Sequence, residues 1–202
     1  MVEFITLRKE GITDFAKERN ELLKKAKGDW VFFVDTDETV SKDLETEISN
    51  ITPKAVTEPQ ISNLSGYYVN RQNFFLGKYI GTDKILRLGR KNAGRWVRRV
   101  HEAWKVEGRI GQLKNPLVHN SAVSLHEFVH KINLYSTLHA QENLNNGKRS
   151  NLLKIVCYPV AKFIQSLLIG RGFVFSMFQS FHSFLSWGKA WQSPVRQAQD
   201  KQ

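Results

Sequence analysis

The chain has 202 residues, 41% of them hydrophobic, and 30 Lys and Arg against 19 Asp and Glu give it a formal net charge of +11. That length suits one domain with an appendage, and that apolar content can form a core, which excludes a wholly disordered chain. The single cysteine excludes an internal disulfide, and the basic balance attracts nucleic acid, anionic lipid or a phosphorylated substrate without choosing among them.

Residues 2–7, Val-Glu-Phe-Ile-Thr-Leu, read as a strand with Val2, Phe4 and Thr6 on one face. Phe15, Ala16, Leu22, Leu23 and Ala26 fit one broad face of a helix, with Gly28 as its C-cap. Trp30-Val31-Phe32-Phe33-Val34 is a short apolar run that predicts a buried strand, and it leads straight into Asp35-Thr36-Asp37-Glu38. Open α/β sheets bind ligands at the C-terminal ends of their strands. Alternate residues of an extended segment point the same way, so Asp35 and Asp37 can converge on one cation. Their hard oxygens suit Mg²⁺ or Mn²⁺ shared with a phosphate group. The competing reading makes these acids caps of the next helix, expected over 41–50.

Further along, 51–64 contains Pro53 and Pro59 and reads as a loop, and 66–71 is aromatic and β-branched, a strand. Residues 74–82, with Gly77 and Gly81, read as a mobile loop, and 85–88 as a short strand. Residues 95–104 alternate Trp, Arg, Val and His as a strand would, 113–118 forms another strand ending at His119, and 122–144 is a helix stopped by Asn146-Gly147. Beyond it Leu152, Ile155, Val156, Val160, Phe163 and Leu167 recur at helical spacing, with Pro159 expected to kink the helix and Cys157 expected to be an inert packed thiol. After Gly170-Arg171-Gly172 a second helical stretch presents Phe173, Met177, Phe181 and Phe184, with Trp187 and Trp191 nearby. Neither stretch offers about 20 uninterrupted apolar residues, so 152–191 reads as a basic amphipathic hairpin in a membrane interface rather than a span; a helical pair packed on the domain or on a partner is the alternative.

The pattern from Asp14 to Val40, D-F-A-x-x-R-N-x-x-L-x-x-A-x-G-D-W-x-x-F-x-D-x-D-E-x-V, resembles family 2 glycosyltransferases of the GT-A fold. The resemblance continues in Asp83–Lys91 (D-x-x-L-R-L-x-R-K), in Val100-His101-Glu102, in His119-Asn120-Ser121 and in Asn133-Leu134-Tyr135-Ser136 with Ala140, and it covers most of residues 14–192. The nearest group within that family contains lipopolysaccharide-core and other cell-envelope enzymes. The resemblance implies an incomplete GT-A α/β domain with a mixed sheet over 1–147, followed by the helical extension over 148–192 and a disordered tail over 193–202. It implies transfer of a sugar from a nucleotide-diphosphate donor to a glycolipid or glycan acceptor, dependent on Mg²⁺ or Mn²⁺ and inverting.

In those terms Asp37 is the direct metal ligand, Asp35 acts at the metal or through ribose or water, and His101 completes the metal shell or contacts phosphate. Glu38 is a third acid, either supporting or merely on the surface. Glu102 is the expected base, with Asp83 in reserve. Arg19, Arg87 and Arg90 are expected to pair with phosphate oxygens, and Trp96 and Trp104 either stack on a sugar or pack in the core. A full GT-A domain has a nucleotide-binding strand-helix-strand before these blocks, a unit of about 30 residues, and only 13 residues precede Asp14. The chain is therefore expected to be a fragment, a product of a mis-placed start, or half of a split enzyme with a complementing N-terminal piece. Residues 1–20 hold no sustained apolar core of the kind a secretory signal needs, so the expected location is cytoplasmic, at the inner membrane face.

Two rival readings remain. His126-Glu127-Phe128-Val129-His130 matches H-E-x-x-H of zinc peptidases, although Asn133 and Ser136 replace the next Gly and His of the extended pattern. The basic stretch 84–114, ten Lys or Arg with interleaved aromatics, could grip single-stranded nucleic acid, but it carries no recognisable nucleic-acid motif.

Overall fold

A computed structural model describes residues 1–8, 12–57, 63–98, 102–122 and 124–199, without side chains at 52–57 and 193–199. It is a mixed α/β structure in two compact units: Met1–Phe74 with Thr82–Ser121, and Phe75–Gly81 with Ala122–Gln202.

The first unit is built on a mixed sheet. Strand β1 (Val2–Thr6) runs parallel to β2 (Trp30–Val34), and β2 runs antiparallel to β5 (Lys78–Arg90). The order continues from β5 to β4 (Leu64–Phe75), β9 (Leu117–Ala122) and the two-residue β3 (Glu38–Thr39), with β8 (Arg109–Gln112) parallel to the start of β4. Strand β2 is buried on both faces, as its unbroken apolar run predicts. Trp30 and Phe32 enter one core with Tyr67, Val69, Leu88, Leu113 and Leu117, closed by Leu44 and Ile48 of helix α2 (Lys42–Thr57). Val31 and Phe33 enter the other with Ala16 and Leu23 of helix α1 (Phe15–Lys25) and with Trp96 and Trp104. Those tryptophans lie on a separate antiparallel pair, β6 (Gly94–Val97) and β7 (Ala103–Val106).

Several sequence expectations change. Helix α1 ends in Ala26, not Gly28; Gly28 instead sits where a Cβ would come within 2.9 Å of the Met1 and Trp30 carbonyl oxygens. Helix α2 runs through Pro53 to Thr57 instead of giving way to a loop at 51. The expected loop at 74–82 is mostly strand: Leu76 and Gly77, both at positive φ, make a two-residue hairpin turn between β4 and β5. The single strand expected over 95–104 is two, and His119 lies inside β9 instead of after a strand.

The second unit holds helices α3 (Leu125–Asn145), α4 (Leu152–Leu168) and α5 (Phe173–Gln199). Phe75 and Ile80 from the hairpin tip, Ala122, Phe128 and Ile132 form its core with Phe175. Helix α4 is continuous through a buried Pro159, α5 runs past residue 192, and Cys157 is exposed rather than packed. Among the described residues no helix is long and apolar enough to cross a membrane.

Candidate active site

Helix α1 begins with Asp14, whose side chain accepts from the Lys17 amide, and this cap sets the phase of the helix. One turn on, Arg19 points into the sheet at 3% exposure while Asn20 exchanges two hydrogen bonds with the Trp96 backbone, clamping β6 to the helix. The Arg19 guanidinium lies over the Trp96 ring at 4.7 Å. It donates to Asp35 Oδ1 at 2.5 Å and, through Nε, to Glu102 Oε1 at 3.1 Å.

Past Val34 the chain turns instead of remaining extended: the Glu38 amide donates to the Asp35 carbonyl, and the Asp35 amide donates to Glu38 Oε2. The turn breaks the alternation on which convergence of the two aspartates depended. Asp35 faces Arg19 and Arg87, the latter 2.5 Å from Oδ2, whereas Asp37 Oδ2 lies 3.5 Å from His119 Nε2.

The remaining acids extend the same chain of charges. Glu38, its side chain wholly buried, accepts from Arg87 at 2.7 Å and from Arg71 at 3.1 Å. Arg71 also forks onto both oxygens of Asp83, which takes a further bond from Asn73, and the Asn73 carbonyl oxygen sits 2.7 Å from His119 Nδ1. A relay therefore runs Glu102–Arg19–Asp35–Arg87–Glu38–Arg71–Asp83–Asn73–His119–Asp37. Burial opposes the charge on Asp35, but Arg87 and Arg19 outweigh it and hold its carboxyl below the usual range. Burial likewise opposes ionisation of Asp83, and the hydrogen bonds from Arg71 and Asn73 prevail and lower it. For Arg19 the opposing burial is overcome by Asp35 and Glu102, which raise its value.

A cavity of about 450 Å³ opens beside this relay, lined among others by Asp35, Arg71, Lys84, Arg87, Trp96 and Glu102. Trp96 and Trp104 stack at 5.5 Å and are almost fully buried, and neither indole nitrogen has a hydrogen-bond partner among the described residues. Arg90 stands apart, stacked over Trp30 and donating to the Leu64 carbonyl. His101 lies outside the described residues. His126 and His130 meet on one face of α3 with ring centroids 4.7 Å apart, but no group of three or more His, Cys, Asp or Glu that could hold a metal occurs among the described residues. Neither the zinc-peptidase nor the nucleic-acid reading gains support.

Arg71, Asn73 and His119 were not singled out as site residues from the sequence. For Arg71 and Asn73 the signal is the period of two along β4, where they continue the alternation of the core residues Tyr67 and Val69 as polar groups.

Both Asp35 oxygens already hold guanidinium partners, so Asp35 does not fit a divalent cation, and Asp37 stands away from it beside His119. Mg²⁺ needs only one or two carboxylates when substrate phosphates and water complete its shell.

No family model matches the chain. It is 25% identical over 193 residues to the lipopolysaccharide core biosynthesis glycosyltransferase LpsC of Rhizobium meliloti (strain 1021), covering 88% of this chain and 69% of that one. It is 24% identical to an uncharacterized glycosyltransferase of Rickettsia felis (83% and 66% covered) and 24% identical to another of Rickettsia bellii (81% and 62%). The chain thus spans about two thirds of the length of the curated relatives it matches, and these relatives support a glycosyltransferase.

Proposed function

We propose that this chain carries the catalytic part of a family 2, GT-A-type glycosyltransferase. It moves a sugar from a nucleotide-diphosphate donor to a hydroxyl of a glycolipid or cell-envelope glycan, with inversion. The observation that carries the reading is the single cavity wall on which Asp35, Arg71, Lys84, Arg87 and Glu102 meet. Cationic groups there suit a diphosphate, and a carboxylate there suits a hydroxyl that must lose its proton.

Glu102 is the base. Arg19 holds its Oε1 and so orients the other oxygen. That oxygen takes the proton as the acceptor oxygen bonds to the anomeric carbon and the bond from that carbon to the donor's phosphate oxygen breaks. Asp83, gripped by Arg71 and Asn73, is the reserve. Lys84, whose Nζ lies over the Tyr68 ring, faces the departing diphosphate. Asp35 keeps Arg19 and Arg87 in place. Asp37 with His119 would hold Mg²⁺ or Mn²⁺, which supplies charge neutralisation to the leaving nucleotide.

A panel of nucleotide-diphosphate sugars, each with Mn²⁺ and a lipid-linked glycan acceptor, tests this. Transfer should appear with one donor, Glu102→Gln should abolish transfer while leaving donor binding, and Asp37→Ala should abolish both. Failure of every donor to bind overturns the reading, and undiminished transfer by Glu102→Gln overturns the choice of base.

A further inference from the structure

Residues 143–192 contain six Lys or Arg and no Asp or Glu. Over the same stretch the second unit leaves many large apolar side chains in the open. On α4, Leu153, Val156, Val160, Ile164 and Leu167 are between 43% and 71% exposed. On α5, Phe173, Met177, Phe181, Phe184 and Trp191 are between 42% and 63% exposed. Both sets follow the three-and-four spacing of a single helical stripe.

The two helices are antiparallel. Gly170 and Gly172, both at positive φ, turn the chain between them, and the Ser166–Ser176 contact near the turn gives way to Tyr158–Trp187 further from it. Ser176 donates to Ser166, Phe163 meets Phe173 and Tyr158 meets Trp187. These contacts define the face each helix turns to the other. At about 100° per residue each exposed stripe is rotated in the same sense from that face, by about a third of a turn on α4 and about a sixth on α5. In an antiparallel pair, rotations of the same sign carry both stripes to the same side. Helix α5 meets α3 on its opposite side, where Phe175 and Phe178 pack on Phe128 and where Lys189 donates to Asn133, Ser136 and Thr137. The result is one broad apolar face, with Lys154 and Lys162 on the other side of α4, where Lys154 lies over the Trp187 ring.

We infer that this face docks onto an anionic lipid bilayer, with α4 and α5 lying in the plane of the interface. Charge selects the occupant. The stretch carries six cations and no acid, so a second copy adds only like charge, whereas anionic headgroups supply the missing counter-charge. Trp191, half-exposed within the α5 stripe, carries an amphipathic ring that favours the headgroup level. Neither helix can cross the bilayer, so the apolar face enters it only to the headgroup and acyl boundary. The inference is independent of the sugar-transfer reading: a chain that transfers sugar but ignores vesicles rejects only the docking face.

Flotation of the full chain with vesicles of phosphatidylglycerol and phosphatidylcholine tests it, against vesicles of phosphatidylcholine alone. The chain should float with the anionic vesicles at least about tenfold better, and added salt should reduce the difference. The double variant Val160→Asp with Phe181→Asp, at two exposed positions, should stay in the soluble fraction with an unchanged far-ultraviolet spectrum. Equal flotation of variant and wild type overturns the proposal, as does a wild-type dimer that the variant dissolves. Should the variant fail to fold, brominated lipid decides on the wild type. It should quench tryptophan emission, and Trp191→Phe should remove much of that quenching; no quenching rejects the docking face.

Discussion

Arg19 is one buried guanidinium shared between Asp35 and Glu102, with its ring-facing side on Trp96. A planar fork can serve two carboxylates and an aromatic face at once, which a lysine ammonium cannot. Removing it leaves two carboxylates in a wall already rich in negative charge. Arg19→Met should cost roughly 3–5 kcal/mol, the range for stripping one partner from a buried ion pair, read as a lower urea midpoint at unchanged slope. A loss below about 1 kcal/mol would mean that the pair behaves as an exposed one. Asp35 gives a pH signature. Its carboxyl is held below the ordinary value by Arg87 and Arg19 against the effect of burial. The stability it brings is complete above the ordinary carboxylate value near about pH 4 and is lost as pH falls through the depressed native one. Wild type should therefore weaken steadily below about pH 4. Asp35→Asn should show a shallower acid limb, though not a flat one, since Asp83 is lowered too. Identical acid limbs in a pH series of thermal melts would contradict the pairing.

At the level of elements, what the sequence makes legible is what one local period encodes. Strand β2 is readable because five consecutive apolar residues have no other good place, and α1 because its apolar positions and Asp14 cap agree. The turn at 35–38 is not readable, since it depends on Glu38 reaching back to the Asp35 amide and on Arg71 and Arg87 holding Glu38 from distant strands. The same holds for the site. Asp35, Arg19, Arg87 and Glu102 are visible as chemistry-bearing residues, but which guanidinium meets which carboxylate is a matter of tertiary placement. The β4–β5 hairpin was hidden because Leu76 takes a positive φ that its side chain does not favour. One close approach within these elements gives a sharp test. Gly89 on β5 leaves room for the Trp104 indole, and a Cβ there would come within 2.8 Å of its Cη2. Gly89→Val should push Trp104 out of its stack with Trp96 and off Phe33, costing roughly 1–3 kcal/mol as overpacking does. Tryptophan emission and denaturant melts would record both changes, and a variant with wild-type emission and stability would show that the ring is not held there.

Charge at the scale of the whole molecule runs opposite to charge at the site. The chain is +11 overall, yet the acids outnumber the guanidinium groups in the relay beside the cavity. These two facts act at different stages of binding. A distant anion feels the summed field, which draws it in and raises the encounter rate. An anion inside the cavity feels the local groups, Lys84, Arg71 and Arg87 against Asp35 and Glu102. Salt separates the two, because the screening length is about 10 Å at 0.1 M and about 3 Å at 1 M. Association of a fluorescent nucleoside diphosphate, followed by stopped flow with Mn²⁺ present, should slow several-fold as salt rises from about 0.05 to 0.5 M. Dissociation should change much less, because partly buried contacts are screened less than exposed ones. Removing Mn²⁺ should do the reverse, accelerating dissociation and leaving association nearly unchanged. An association rate indifferent to salt would show that the basic surface does not steer donor to this cavity, and a dissociation rate indifferent to Mn²⁺ would remove the cation from Asp37.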